Sequence, residues 1–178
     1  MKIDIVDNFL SSYQSDSYTK LFQDATNTFP LYYYDDLNDA SYLGNYYFVH
    51  VLVDGFKPSR FADEYFFVFA PLLSKLNLTM SNNKQYNLER LWRLKVNLYP
   101  RTHRRVHHQP HTDYEPNTGL RTCLYYINDN NGFTIFDRKK KIRSKKNTAV
   151  FFDGSNMHHS TTPTDCNWRA TINIDYTI

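Results

Sequence analysis

Hydrophobic and polar positions divide the chain into two halves with different periods. From Arg90 onward the pattern has period two in short blocks. Leu91-Trp92-Arg93-Leu94-Lys95-Val96-Asn97-Leu98-Tyr99 alternates, with Pro100 as a stop. Leu120 to Ile127, Gly132 to Phe136, Thr148 to Phe152 and Arg169 to Tyr176 are rich in β-branched or aromatic residues, so each is predicted to be a strand. The first half is more helical. Ile3-Asp4-Ile5-Val6 alternates like a short strand, but Leu10 to Ala25 places Leu10, Tyr13, Leu21, Phe22 and Ala25 near one helical face. Pro58-Ser59 reads as a second helix start before Phe61, Tyr65, Phe69, Leu72, Leu73 and Leu76. Pro71 is expected to break or kink that helix, because an interior proline loses a hydrogen bond and clashes with the preceding turn. Helices followed by many short strands predict an α+β fold, with helices packed outside a β-sandwich or barrel.

Composition narrows this picture. A chain of 178 residues without repeats or low-complexity tracts fits one domain, residues 1–178. Its 41% hydrophobic and 17% aromatic content excludes a disordered or fibrous chain. Five glycines argue against a glycine-rich phosphate cradle. Cys123 and Cys166 make neither a disulfide framework nor a four-thiolate zinc site, and are expected to be reduced thiols. No apolar run approaches the ~20 residues of a membrane span, and Met1 to Asp7 lacks the apolar stretch of a signal peptide. A soluble cytoplasmic protein is expected. Six of the seven histidines lie between His103 and His159.

That crowding carries the candidate chemistry. In an extended segment His111 and Asp113 point to one side and can converge on a metal. His158-His159, just past Ala149 to Phe152, offers two candidates for a third ligand. Two histidines and a carboxylate with open positions form the facial triad of non-haem Fe(II) oxygenases. His103, His107 and His108 read as loop histidines beside Arg101, Arg104 and Arg105. Arg169 enters an apolar strand, where a guanidinium suits a carboxylate that it can grip with two hydrogen bonds. It shares a face with Thr171 and Asn173. The alternative for Arg169 is a strand end that reaches solvent or an internal Asp.

Taken in order, these residues resemble the 2-oxoglutarate- and Fe(II)-dependent oxygenase superfamily, particularly its prolyl 4-hydroxylase-like branch. His111-Thr112-Asp113 stands for its H-x-D. His159, with Pro163 four residues on and Arg169 ten residues on, stands for its distal histidine, proline and cosubstrate-binding arginine. Thr122 to Asn128 looks like its central strand, Asn97-Leu98-Tyr99-Pro100 like the strand before H-x-D, and Ile5 to Leu10 like its opening. The resemblance implies a double-stranded β-helix (jelly roll) core over about 89–178, braced by an N-terminal helical support over about 1–88. It implies His111, Asp113 and His159 as Fe(II) ligands, with His159 preferred to His158 on its spacing to Pro163 and Arg169. Arg169 would pair with the distal carboxylate of 2-oxoglutarate, assisted by Tyr126 and Tyr99, with Asn173 or Thr171 adding a hydrogen bond and Asn97 a weaker contributor.

The implied activity is hydroxylation of a substrate C–H, on a protein or peptide residue such as proline, with 2-oxoglutarate leaving as succinate and CO2. Thr28 to Tyr47 and Arg101 to Pro110 are the expected substrate-facing loops. Two alternatives are a nucleobase-directed oxygenase and a catalytically silent jelly-roll binding module. The chain departs from the family twice. Asn130-Asn131-Gly132 replaces a frequent Gly-Gly pair, one glycine still permitting a tight turn. Arg138 to Lys146 carries seven basic residues among nine, read as a solvated hairpin that could attract a nucleic-acid backbone or an acidic polypeptide.

Overall fold

The computed structural model describes residues 2–23, 29–35, 46–59, 65–78, 90–137 and 140–177. In chain order the elements are β1 (Asp4–Asp7), α1 (Ser12–Gln23), β2 (Tyr32–Tyr34), β3 (Tyr47–Asp54) and β4 (Lys57–Pro58). A 3-10 turn (Phe66–Phe69) runs into α2 (Ala70–Lys75). Then follow β5 (Leu91–Pro100), β6 (Leu120–Tyr126), β7 (Phe133–Phe136), β8 (Lys140–Arg143), β9 (Thr148–Phe152), β10 (His158–Ser160) and β11 (Trp168–Thr177). The large sheet runs β1-β9-β6-β11-β5-β3-β2, with β4 paired to β3, and the small sheet runs β10-β7-β8. Every pairing is antiparallel. This is a double-stranded β-helix with few helices, the core that the resemblance implied, built from the strands that the alternating blocks predicted.

Strand parity gives the large sheet two unlike faces. One carries Leu94 and Val96 of β5, Ala170, Ile172 and Ile174 of β11, and Cys123 and Tyr125 of β6. These are buried with Tyr18 of α1 and with Phe66, Phe69, Leu72 and Leu73. Burying each large apolar side chain contributes roughly 1.5–3 kcal/mol, so the helix-covered face holds the sheet together. The opposite face is polar. Its β5 residues are Arg93, Lys95, Asn97 and Tyr99, set in register beside Asp175, Asn173, Thr171 and Arg169 of β11. Toward the small sheet a second core of Leu124, Tyr126, Phe136, Ile142, Val150 and Phe152 closes one end.

The first half departs from the helical expectation. Residues 47–54 are a strand of the large sheet, paired with β5. Their continuous apolar run lacks the alternation that marks a strand with one solvated face. Pro58 closes a hairpin as the last residue of β4, and residues 60–64 of the expected helix lie outside the described residues. Gly55 and Phe56 both have positive φ, 58° and 64°, and form the two-residue turn of that hairpin. Pro71 lies in the first turn of α2, directly after the 3-10 turn, where its missing N–H needs no partner. Phe61 of the expected helix lies outside the described residues. Cys123 and Cys166 are free. No helix among the described residues is long and apolar enough to cross a membrane.

Candidate metal centre and cosubstrate pocket

Antiparallel pairing of two short segments builds the centre. His111 and His158 exchange backbone hydrogen bonds in both directions, 2.9 Å each. Directly opposed residues present their side chains on one side, and the two imidazole centroids are 4.7 Å apart. The Asp113 N–H donates to Gly154 O at 2.7 Å. That close approach needs glycine, because a Cβ at Gly154 would lie 2.5 Å from Thr122 Oγ1 and 3.0 Å from Asp113 Cβ. The ligating atoms of His111, Asp113 and His158 all lie within 4.8 Å of one another.

The donor set suits a divalent metal. His111 Nδ1 lies 3.2 Å from Gln109 O and His158 Nδ1 lies 2.9 Å from Asn156 O. A carbonyl only accepts, so each Nδ1 carries a proton and each Nε2 is left as the nitrogen for a metal. Asp113 divides its oxygens. Oδ1 accepts from Arg93 at 2.5 Å and from Asn173 Nδ2 at 3.4 Å, whereas buried Oδ2 makes no hydrogen bond and faces His158 Nε2 at 3.4 Å. Burial pushes the Asp113 carboxyl up, but His158 and Arg93 outweigh it and hold the group well below the usual carboxylate range. Burial, with His158 adding to it, pushes His111 down to about 4. The set is therefore a carboxylate, a neutral imidazole at His111, and His158, whose basicity burial lowers but Asp113 raises by more, so that a metal at its Nε2 would displace a proton.

The expected third ligand is corrected by one residue. His158, not His159, joins His111 and Asp113. Neighbours on a strand face opposite ways, and the pairing with His111 turns His158 inward. His159 lies on the other side, its Nε2 3.4 Å from His107 Nδ1. Spacing to Pro163 and Arg169 does not report this, because the segment between β10 and β11 absorbs a one-residue offset.

Arg169 is the far wall of the same pocket, which His111, His158, Lys95, Tyr99 and Asn173 also line. It is 1% exposed. Its Nε donates to Ser144 Oγ at 3.2 Å and one terminal nitrogen to Thr134 Oγ1 at 3.0 Å, while the other terminal nitrogen is buried without a partner. No described carboxylate lies within ion-pair distance of it, which removes the internal-Asp alternative. Tyr99 and Tyr126 flank the guanidinium, ring centroids 5.4 and 5.6 Å from Cζ. Tyr126 acts from behind, since its hydroxyl donates to Thr134. Thr171 and Asn97 line the pocket, and Asn97 Oδ1 and Asn173 Oδ1 are buried without partners. Gly132 has another purpose than the expected tight turn. A Cβ there would lie 2.7 Å from Arg169 Cδ, so the missing side chain makes room for the arginine.

No protein-family model matches the sequence, and no curated protein matches it. Solved structures do match over nearly the whole chain. A Pseudomonas putida prolyl-4-hydroxylase aligns with TM-score 0.62 at 12% identity, covering 99% of this chain and 92% of that one. A Trichoplax adhaerens prolyl hydroxylase, solved with a hypoxia inducible factor peptide fragment, aligns with TM-score 0.60 at 15% identity, covering 98% and 83%. SnoN, a non-heme alpha ketoglutarate dependent epimerase from nogalamycin biosynthesis, aligns with TM-score 0.65 at 12% identity, covering 98% and 77%. The fold is that of the 2-oxoglutarate-dependent oxygenases. Identities this low establish the shared oxygenase architecture and leave the reaction to be argued from the pocket.

Within that oxygenase fold, Lys95 lines the pocket while Arg93, Asp175 and His108 contact the residues around it, and His108 departs from the expected loop histidine. His108 is buried, stacked on Tyr99 at 4.8 Å and 2.6 Å from Ser160 Oγ. Arg93, Lys95 and Asp175 alternate correctly in their strands but were hidden among apolar neighbours. Their only signal was charge on the same parity as Tyr99 and Arg169. Arg93 joins Asp113 to Asp175, donating to the latter at 2.6 Å, and Thr122 donates to the other Asp175 oxygen at 2.5 Å. Burial and the nearby Asp113 push the Asp175 carboxyl up to about 6. Arg93 thus occupies Oδ1 of Asp113 and leaves Oδ2 as the oxygen that could face a metal. Arg93→Met is expected to weaken divalent-metal binding about 10–100-fold, as loss of a partner behind a ligand does. It should also destabilise the fold by about 3 kcal/mol, because two buried carboxylates lose their cation. Adding Asp175→Asn should recover most of that stability and little of the affinity. Metal titration and denaturant melts of the single and double variants check both parts.

Proposed function

We propose that the protein is an Fe(II)- and 2-oxoglutarate-dependent dioxygenase that hydroxylates a substrate C–H, with a protein or peptide residue such as proline as substrate. One observation carries the reading. A buried arginine with an unpartnered N–H stands at one end of a pocket whose other end is a carboxylate and two imidazoles. A dicarboxylate that chelates a metal with one end and ion-pairs with the other fits both ends.

His111, Asp113 and His158 would hold the iron, and Arg169 the distal carboxylate. Bound iron with 2-oxoglutarate supplies an oxidant that replaces a C–H hydrogen with hydroxyl, the cosubstrate leaving as succinate and CO2. The chain's own contribution is positional. Arg93 and the carbonyls of Gln109 and Asn156 orient the three side chains that would hold the metal, a set that would leave room for cosubstrate and oxygen. Tyr99, Tyr126 and the second core exclude water from the arginine's end, which strengthens its grip on the carboxylate.

The peptide substrate is supported by the likeness to prolyl hydroxylases, one of them solved with a peptide fragment. A nucleic-acid substrate is less well supported, because three of the seven basic residues of the run already face carboxylates. Lys145 pairs with Asp7 at 2.8 Å, Lys146 with Asp16 at 2.6 Å, and Arg143 donates to Asn130 O while facing Asp165. Arg138 and Lys139 lie outside the described residues. A silent binding module has no use for a buried Arg169 with one terminal nitrogen unpartnered.

The test is succinate formation that requires both Fe(II) and 2-oxoglutarate, with a proline-peptide panel followed for gain of one oxygen. Asp113→Ala should bring succinate to background. Undiminished turnover in that variant, or none in the wild type with both supplied, sinks the assignment.

A further inference from the structure

Lys95 is a pocket cation that the oxygenase reading leaves without a task. It lies on the polar face of β5, in register between Val51 of β3 and Asn173 of β11, and it lines the same pocket as His111, His158 and Arg169. Asn173, its register neighbour, reaches the metal-facing carboxylate of Asp113. Lys95 therefore stands at the metal end of the pocket. It is also one strand beyond β6 and β11, whose Tyr126 and Arg169 the small sheet covers through Thr134.

The other charges near it are spoken for. Arg93 is held by Asp113 and Asp175, and Arg169 would be held by the distal carboxylate of the cosubstrate. Asp54, the remaining acid that bears on Lys95, is exposed at the end of β3. The Lys95 amine makes no hydrogen bond or ion pair among the described residues. With a divalent metal and a dianionic cosubstrate added, the three cations Arg93, Lys95 and Arg169 exceed the two carboxylates Asp113 and Asp175 by one positive charge. A half-buried ammonium beside a metal is unfavourable unless an anion meets it.

We propose that Lys95 binds a carboxylate of the substrate, so that the enzyme selects substrates carrying a carboxylate next to the carbon that reacts. This rests on the oxygenase reading and narrows its substrate class. For a peptide, the carboxylate is either an Asp or Glu side chain beside the target residue or the free C-terminus of that residue. Both present the same chemistry to an ammonium.

The experiment measures calorimetric binding to the full chain loaded with Mn(II) and 2-oxoglutarate. Two matched pairs of proline hexapeptides serve as probes. In one pair the proline is followed by Asp or Asn; in the other a terminal proline is a free acid or an amide. In at least one pair the acid should bind about 10–100-fold tighter, the range of a charge-assisted hydrogen bond, and the pair that does so identifies the source. Lys95→Met should erase the preference and Lys95→Glu should reverse it. In Lys95→Met, metal content and 2-oxoglutarate affinity should stay within about twofold of wild type, which also shows that the variant folds. The proposal is overturned if neither pair shows a preference, if the preference survives Lys95→Met, or if that variant loses 2-oxoglutarate instead. Failure of the oxygenase reading would show separately, as wild-type protein that makes no succinate.

Discussion

Replacing His158 with alanine is expected to lower divalent-metal affinity by more than about a hundredfold and bring succinate formation to background. His159→Ala should leave the affinity within a few-fold of wild type. The expected loss exceeds the 10–100-fold that follows removal of a partner behind a ligand, because a donor itself is lost. The asymmetry follows from one pairing. His158 opposes His111 across two backbone hydrogen bonds and sits 3.4 Å from the Asp113 carboxylate, whereas His159 neighbours His107. The His158 ring also packs on Phe136 and Phe152, centroids 5.8 and 4.9 Å away, so its deletion leaves a void in the second core. His158→Gln, which fills that void better, serves as the folded control and should lose the metal as well. Anaerobic Fe(II) or Mn(II) titration of the three variants reads the result. Metal lost in His159→Ala and kept in His158→Ala would show that the register of β10 is wrong.

The same pairing explains how much of the site was legible in the sequence. His111 and Asp113 are two apart, and local parity alone brings them to one side. Arg169, Thr171 and Asn173 follow from the same rule within β11. The third ligand depends on which residue of a neighbouring strand opposes His111, and a strand's register is set by partners far away in sequence. Spacing along the chain points to His159, and the pairing selects His158. Lys95 and Arg93 were hidden for a related reason. Each sits in a strand whose alternate residues are apolar, so the pattern marks them as facing away from the helix-covered core. It does not show that the other face is a pocket rather than solvent. Strand β3 escaped notice because its apolar residues run continuously. The basic run is the reverse case, a loud signal in sequence of which Arg143, Lys145 and Lys146 face Asp165, Asp7 and Asp16.

Arg169→Met is expected to weaken 2-oxoglutarate binding about 100- to 1000-fold, some 3–4 kcal/mol, the loss of a two-pronged charge-assisted contact. Its effect on the fold should have the opposite sign. The guanidinium is buried with an unsatisfied N–H and no carboxylate partner among the described residues. Exchange of a buried, unpaired charge for an apolar side chain of similar length is neutral or stabilising. The variant should therefore unfold at the same denaturant concentration as wild type or a higher one. Adding 2-oxoglutarate with Mn(II) should stabilise wild type by mass action and the variant far less. Arg169→Lys keeps the charge and loses the planar fork, so its affinity should fall between the two. An arginine that serves only packing would give the reverse result, a destabilised variant with unchanged affinity. Tyr126 adds a check on geometry. Tyr126→Phe frees Thr134 from one of its two hydrogen bonds and leaves the ring on the guanidinium, so it should cost far less affinity than the loss of Arg169. Two opposite shifts from one substitution are what a residue kept for its ligand, at the expense of the fold, should produce.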